Sequence, residues 1–160
     1  LYSVVKEYAG LTGTETVLDL YCGAGTIGLS LADRCKRLLG VEIIPEAIEN
    51  ARANAARNGI QNAAFFCGDA GQAAARLAEE GIRPDVIILD PPRKGCDEAA
   101  LEAVVRMNPG KVVMVSCNPA TMARDCKRLA ERGYRLERVR GADLFPRTCH
   151  VEAVVLMSRI

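Results

Sequence analysis

Strand-like and helix-like stretches alternate along almost the whole of this 160-residue chain. Repeated strand–helix units predict a parallel sheet with helices on both faces. The last two strands have no helix between them, and because a short link cannot make a parallel crossover, they must be antiparallel. We therefore predict one α/β domain over residues 1–160: a Rossmann-like, doubly wound, mostly parallel seven-stranded sheet with an antiparallel last strand. Its strands are expected at 16–20, 37–42, 63–67, 85–89, 111–115, 134–139 and 150–157.

Helices are expected between the strands. Apolar spacing and start and stop signals place them at about 26–33, 45–58, up to about 81, 97–107 and 119–132. An amphipathic helix carrying Val4, Val5 and Tyr8 precedes the first strand. The chain begins within this helix at Leu1, so we expect it to be a piece of a longer protein.

Gly23, Gly25 and Gly28 form a GxGxxG pattern after the first strand, and Glu42 lies nineteen residues after Gly23. This is the layout of a nucleotide crevice, in which glycines let the backbone approach the ligand and the carboxylate binds ribose hydroxyls. The pattern alone fits NAD as well as S-adenosylmethionine (SAM). Asp19 favours SAM, because its charge would oppose a pyrophosphate but attract an amino group or a sulfonium.

Three of the candidate side chains have structural alternatives. Asp69 either accepts from the adenine amino group or caps the helix that follows it. Tyr21 either lays its ring against the ligand or packs beside the turn. Glu42 is either a cofactor contact or an exposed strand end.

The stretch DPPRKG at 90–95 follows the buried fourth strand. Its two prolines stiffen the loop, which brings a carboxylate, Asp90, and two cations to the sheet edge. An enzyme that methylates amino groups would want an aromatic residue after the prolines, whereas Arg93 suits a phosphate and is predicted to bind RNA. The alternative is a rigid turn with solvated charges.

Cys117 ends the fifth strand and directly precedes a predicted helix beginning at Pro119. The positive end of a helix lowers the pKa of a nearby thiol from about 8.5, which makes a nucleophile. The alternative is a buried cysteine that acts as a small hydrophobe. The other six cysteines are interpreted as packing or incidental thiols.

Composition limits the setting in which this chemistry takes place. The seven cysteines form no CxxC pair, so we predict neither a disulfide framework nor a metal site, and we expect the cytoplasm. No apolar run reaches the ~18 residues of a membrane span, so no membrane partner is expected. The net charge of +1 neither indicates nor excludes a nucleic-acid partner.

Four stretches together resemble the RumA/TrmA-type RNA (uracil-5-)-methyltransferases: 17–25, 90–95, SCNP at 116–119 and FPRTCHVE at 145–152. They occur in the family's order and cover essentially the whole chain. The resemblance implies the class I methyltransferase fold, SAM as cofactor and RNA as partner. Residues 90–97 are most similar to members that act on 23S ribosomal RNA, with transfer RNA as the alternative.

The resemblance also implies roles for individual residues. Cys117 matches the nucleophile and Glu152 the base. Positions that contact SAM match Tyr21, Thr26, Glu42, Asp69 and Asp90. The family also carries an N-terminal RNA-binding domain, often an iron–sulfur segment, and a glutamine motif upstream of the first helix, none of which lies within these 160 residues.

The chemistry explains why these residue types are needed. Carbon 5 of uracil becomes nucleophilic when a thiolate adds to carbon 6, and a base must then remove the carbon 5 proton so that the thiol can leave. Glu152 interrupts an apolar strand, where desolvation is expected to raise its pKa toward a useful value. His150, the only histidine, shares its strand face by alternation and is either structural or a helper.

Two rival hypotheses stay open at this point. The chain could be a methyltransferase for another substrate, in which case Cys117 and Glu152 would be accidental. It could also be a cofactor-binding module that does not catalyse without its upstream domain.

Overall fold

The computed structural model describes residues 1–144, 146–148 and 151–160. Within these residues, strands and helices alternate as the sequence predicts. The strands are β1 (Thr16–Leu20), β2 (Arg37–Glu42), β3 (Ala63–Cys67), β4 (Val86–Leu89), β5 (Lys111–Ser116), β6 (Tyr134–Ala142) and β7 (Glu152–Arg159). The helices are α1 (Tyr2–Ala9), α2 (Thr26–Leu29), α3 (Pro45–Arg57), α4 (Ala70–Glu79), α5 (Glu98–Met107) and α6 (Pro119–Ala130).

One sheet contains all seven strands, in the order β3-β2-β1-β4-β5-β7-β6. Strands β1 to β5 pair in parallel. The last strand, β7, pairs antiparallel with both β5 and β6. The predicted fold class is therefore confirmed, and the antiparallel strand lies inside the sheet with β6 at its edge.

Helices cover both faces of the sheet because successive strand residues point to opposite sides. In β5, Val112 and Met114 face the core beneath α4, α5 and α6. Val113 and Val115 face the opposite core, which α1 and α2 cover. The third helix, α3, packs on that same side over β2 and β3.

The helix boundaries follow from local capping. Asp97 accepts a hydrogen bond from the Ala100 amide at 2.7 Å and begins α5 as predicted. The second helix is shorter than expected. It ends at Leu29, and a separate short 3₁₀ helix follows at Ala32–Arg34, so residues 26–33 do not form one continuous α-helix. Between the two, the Ser30 hydroxyl donates to the Ile27 carbonyl at 2.7 Å, a side-chain bond that competes with the helical ladder.

The edge strand β6 is highly charged and irregular. Its register with β7 shifts between Leu136 and Arg138, which is a β-bulge. On one face, Arg138 and Arg140 pair with Glu7 of α1 at 2.9 and 3.3 Å. On the other face, Leu136 and Val139 are 50% and 59% exposed.

Within the described residues, no helix is both long enough and apolar enough to cross a membrane.

Gly40 in β2 packs closely against Phe65 and against Cys22, which precedes the glycine turn, and it provides a test of how tightly this part of the core is packed. A Cβ at this position would lie 2.5 Å from the Phe65 ring and 3.0 Å from Cys22 Sγ. Since overpacking a core costs about 1–3 kcal/mol, we expect Gly40→Ala to lower the free energy of unfolding by that amount in urea titrations followed by circular dichroism. Gly141→Ala is the control, because its nearest new contact is an ordinary 3.6 Å; equal effects of the two changes would contradict this account.

Candidate active site

The carboxyl ends of the parallel strands and the amino end of β7 meet at one edge of the sheet. Ligands bind at this edge in open α/β sheets. The predicted site residues lie here because each one is near the carboxyl end of a strand, in the loop or turn that follows it, or at the start of β7. Their chain positions range from Asp19 to Glu152, so it is the topology that gathers them.

A cavity of about 370 Å³ lies at this edge. Four of the predicted cofactor contacts line it: Tyr21, Glu42, Asp69 and Asp90. The remaining lining residues are Val41, Ile43, Ile44, Gly68, Ala70, Pro92, Lys94, Gly95 and Asp97. Its size is within the usual range for small-molecule sites, roughly 300–1,000 Å³.

The glycine turn borders this cavity through Glu42. One Glu42 oxygen accepts from the Gly23 amide and the other from the Ile44 amide, both at 3.0 Å. Gly25 has φ +80°, a left-handed conformation that favours glycine, and Thr26 begins α2 with an exposed side chain. Glu42 is therefore not a free strand end, since it ties the turn after β1 to the end of β2.

Asp19 lies beneath the turn and is almost completely buried, with 1% of its surface exposed. Its Oδ2 accepts from the Gly28 amide at 3.0 Å, and a Cβ at Gly28 would lie 2.7 Å from the same oxygen. Its Oδ1 is buried and has no hydrogen-bond partner in the described part of the chain. A buried, unpaired carboxylate oxygen is costly and is expected mainly where a ligand completes the site.

The carboxyl groups at this edge influence one another. Burial, together with the charges of Asp90 and Glu42, raises the pKa of Asp19 to about 8. Burial also raises the pKa of Asp90 to about 6, with the Glu152 charge as the second cause. Like charges that close together favour a bound cation.

Tyr21 has an unusual backbone conformation for a residue with a side chain, with φ +64°. Its hydroxyl is buried and forms no hydrogen bond with the described residues, although the Cys96 thiol lies beside it. Burial raises the pKa of the Tyr21 phenol above its ordinary value. Strained residues of this kind concentrate at functional sites.

Asp69 has both of the positions proposed for it. Its Oδ1 accepts from the Gln72 amide at 3.0 Å and caps α4. The residue also lines the cavity, and a carboxylate has several acceptor sites. Capping and ligand contact therefore do not exclude each other at this position.

Cys117 lies directly after β5 and is partly buried, so it is not sealed in the core. The β5–β7 register ends with Ser116 paired to Ala153, and Cys117 and Glu152 are the residues that adjoin this pair. Both are therefore brought to the same edge of the sheet. The charge of Glu152 also raises the pKa of Asp90, which lines the cavity.

Hydrogen bonds fix the turn around Cys117. The Asn118 amide donates to the Ser116 hydroxyl at 3.0 Å, and the Asn118 side chain caps α6 by accepting from the Ala120 amide at 3.1 Å. The thiol therefore lies beside the positive end of a twelve-residue helix.

The two cations of the 90–95 loop have different surroundings. Lys94 lines the cavity, whereas Arg93 is exposed and outside it. The Arg93 carbonyl accepts from Asn118 and from the Thr121 hydroxyl, both at 3.1 Å. Arg93 is therefore an exposed residue whose backbone is held against the Cys117 turn and the start of α6.

The remaining predicted residues divide into three groups. Cys22, Cys35 and Cys96 are buried, and Cys126 is partly buried, as expected for packing. Cys67 is exposed at the end of β3. Cys149 and His150 lie outside the described residues.

Sequence reasoning missed several residues that line the cavity. Ile43 and Ile44 are 62% and 53% exposed directly after Glu42, and two exposed isoleucines beside a predicted ribose-binding carboxylate were an available signal. Asp97 was recognised only as a helix cap. Among the described residues, no group of three or more acidic, histidine or cysteine side chains could hold a metal ion.

The strand order, the glycine turn after β1 and the acid-lined cavity define a class I methyltransferase domain. Residues 6–160 match the family described as tRNA (Uracil-5-)-methyltransferase. The chain belongs to this family, and the resemblance noted from its motifs is confirmed.

Individual relatives agree with this assignment. The chain is 54% identical over its full length to an "uncharacterized RNA methyltransferase" of Bacillus cereus and 50% identical to another of Clostridium acetobutylicum. It covers 35% of each, so it spans about a third of the length of these curated relatives. Among solved structures, the tRNA (uracil-54, C5)-methyltransferase of Pyrococcus abyssi, in complex with S-adenosyl-L-homocysteine, is 35% identical with a TM-score of 0.81, over 97% of this chain and 37% of that one.

The raised pKa of Asp19 predicts a pH-dependent effect of neutralising it. Its pKa is 3.8 in the unfolded chain and about 8 in the folded one, so the folded state keeps a proton that the unfolded state releases. This contribution to stability is fully present below about pH 4 and is lost as pH rises through 8. Asp19→Asn lacks this loss, so between pH 5 and pH 8.5 it should gain on the wild type by about 4 kcal/mol, roughly 10 °C in Tm.

Thermal denaturation at the two pH values checks this expectation. Asp33→Asn is the control, because Asp33 is exposed in the short 3₁₀ helix. A difference in Tm between Asp19→Asn and wild type that is the same at both pH values would contradict the buried, protonated carboxyl.

Proposed function

We propose that residues 1–160 form the catalytic domain of an enzyme that methylates carbon 5 of a uridine in RNA, with SAM as the methyl donor. The observation that carries the proposal is the pairing of Ser116 with Ala153, which brings the adjoining residues Cys117 and Glu152 to the sheet edge where the acid-lined cavity lies. Covalent activation of uracil needs a nucleophile and a base at one site. The family assignment supports this pairing of roles.

The cavity suits SAM better than a dinucleotide. The buried Oδ1 of Asp19 has no partner within the described residues, and Glu42 and Asp90 add negative charge nearby. These groups attract the amino group and sulfonium of SAM and repel a pyrophosphate. Tyr21, Glu42, Asp69 and Asp90 would hold the cofactor, with Gly23, Gly25 and Thr26 forming the turn beside it, and the cofactor when bound supplies the methyl group.

The mechanism assigns one step to each catalytic side chain. The Cys117 thiolate uses its electron pair to form a bond to carbon 6 of the uracil, and the electrons of the C5–C6 double bond move to give an enolate with density at carbon 5. Carbon 5 would then take the methyl group, whose bond to the donor sulfur breaks with the electron pair left on that sulfur. Glu152 then accepts the carbon 5 proton, the double bond re-forms, and the Cys117 sulfur leaves as the thiolate. Each bond that Cys117 makes is broken again, so the enzyme is regenerated once Glu152 releases its proton.

RNA reaches this site through its exposed surroundings. The target uridine must leave its stack to reach a partly buried thiol, and single-stranded loops offer such bases most readily. We propose that exposed Arg93, next to the Cys117 turn, contacts a phosphate near the target. The 90–97 loop favours 23S ribosomal RNA, while the Pyrococcus abyssi relative is named for a transfer RNA position, so assays should include both RNAs.

The relatives are about three times as long as this chain. We therefore propose that tight RNA binding depends on a domain outside residues 1–160, as the family resemblance implies. The proposed setting for the reaction is the cytoplasm. Turnover by this chain is compared with turnover by a version extended upstream. Equal turnover would contradict the proposal that RNA binding depends on a domain outside residues 1–160.

Removing the thiol tests the nucleophile. RNA containing 5-fluorouridine cannot lose its carbon 5 substituent, so with SAM the wild type should form a covalent complex that survives denaturing electrophoresis. We expect Cys117→Ala to form none and to lose turnover by at least about 10³-fold. Cys67→Ala, which removes an exposed thiol, should behave as wild type.

The outcomes of this experiment separate the three hypotheses. An undiminished complex with Cys117→Ala would reject the nucleophile. Methyl transfer to another substrate that survives Cys117→Ala would favour a different methyltransferase. Binding of S-adenosylhomocysteine without any covalent complex in the wild type would favour a cofactor-binding module, and tight NAD binding would reject the methyltransferase proposal.

Neutralising Glu152 tests the base. Glu152→Gln keeps the shape of the side chain but cannot accept the carbon 5 proton, so elimination should become the slow step. With ordinary RNA we expect a methylated covalent complex to accumulate while turnover falls by about 10²–10⁴-fold. Fast turnover without accumulation would show that another group removes the proton.

A further inference from the structure

One completely buried charge has no part in the proposed chemistry. Asp125 of α6 has 0% of its surface exposed. It lies between Met122 and Leu129 on the buried face of the helix, where an apolar residue would be expected. Burying a carboxylate is costly unless it is paired and hydrogen-bonded, so its partners indicate what it does.

The partners of Asp125 are on the 90–96 loop and on its own helix. Its Oδ2 accepts from the Cys96 amide at 2.8 Å. Its Oδ1 accepts from Arg124 Nε at 2.9 Å, and Arg124 Nη2 donates onward to the Lys94 carbonyl at 2.9 Å. The carboxylate and the guanidinium therefore hold the backbone of the loop from both sides of Gly95.

Gly95 shows how closely the helix and the loop approach each other. It has φ +82°, and a Cβ there would lie 2.5 Å from Asp125 Oδ2 and would also contact Arg124. A side chain at this position would therefore push the loop away from α6. Glycine at position 95 allows the loop to turn and lets the Asp125 carboxylate reach the Cys96 amide directly.

The loop held in this way connects the two parts of the site. Asp90, Pro92, Lys94 and Gly95 line the cofactor cavity. At the other end of the same contact, Asn118 and Thr121 bind the Arg93 carbonyl, and Asn118 directly follows Cys117. Helix α6 therefore begins at the turn that contains Cys117, and residues in its first two turns bind the loop that forms one wall of the cavity.

We propose that Asp125 is a positioning residue that fixes the 90–96 loop to α6 and so sets the distance between Cys117 and the methyl donor. This inference rests on the proposed function. A reacting geometry that is wrong by about 1 Å can lower a rate by about 10²-fold. Asp125 touches neither substrate nor cofactor, so its effect passes through the loop backbone.

Asp125→Asn tests the role with little change in volume. An amide has one acceptor oxygen in place of two, so it cannot accept from both the Cys96 amide and Arg124 without turning a donor toward one of them. We expect the dissociation constant of S-adenosylhomocysteine to rise about tenfold, the equivalent of one lost hydrogen bond. The rate of covalent complex formation with 5-fluorouridine RNA at saturating SAM should fall by about 10²-fold.

Two further variants keep the test decisive. Glu131→Gln removes a carboxylate at the end of α6 that pairs with Lys127 and with no other described residue, and both measurements should stay within about twofold of wild type. Arg124→Gln removes the other half of the contact with the loop, from a side chain that is 42% exposed, and should shift both measurements in the same direction as Asp125→Asn. All binding and rates are measured below the Tm of each variant.

A purely structural role predicts a different pattern. If Asp125→Asn or Arg124→Gln lowers Tm while affinity and rate stay within twofold of wild type, the positioning role is wrong. If the wild type forms no covalent complex, the proposed function fails, and the affinity for S-adenosylhomocysteine still decides whether Asp125 holds the loop.

Discussion

The site depends on one pairing, the antiparallel insertion of β7 between β5 and β6. The five parallel strands bring their carboxyl ends to a single edge, and an antiparallel neighbour begins where they end. Glu152, the first residue of β7, is thereby brought to the edge at which Cys117 follows β5. Had β7 run parallel, its eight residues would have separated the two groups by on the order of 20 Å.

The same convergence concentrates negative charge. Asp19, Glu42, Asp90 and Glu152 lie in or directly after four different strands, and burial first, then the charges of neighbouring carboxylates, raises the pKa values of Asp19 and Asp90. Such an arrangement opposes folding, and the apolar cores on both faces of the sheet must offset it. Destabilised sites of this kind are common where function needs them. Positive charge in the cavity would relieve this repulsion, which favours a ligand that carries it.

Much of the fold could be predicted because short stretches of sequence indicate where its strands and helices lie. Apolar runs such as 86–89 can only be buried strands, and Asp97 and Pro119 mark helix starts. The position of β7 inside the sheet was not predictable, since it depends on long-range pairing rather than on local pattern. The candidate cofactor side chains could be proposed from the sequence because they lie near the ends of strands, which the topology gathers at one edge.

Other parts of the site depend on contacts that no short stretch contains. Asp125 is separated from the Cys96 amide by 29 residues, and only the folded chain shows that the two meet. A charge on an apolar helix face was the one local signal. Asp69 was open between cap and ligand contact, and the structure gives it the geometry for both because the helix begins at the rim of the cavity.

The irregular strand β6 has a consequence for the behaviour of the chain in concentrated solution. An open sheet margin offers unpaired amides and carbonyls to any other extended segment, which is how ordered aggregates start. In β6 the β-bulge after Leu136 makes the strand irregular, and Arg138 and Arg140, which pair with Glu7, place positive charge along this edge. A strand from a second molecule could pair with β6 only by burying these guanidinium groups. The charged edge therefore opposes aggregation through the exposed Leu136 and Val139 beside it.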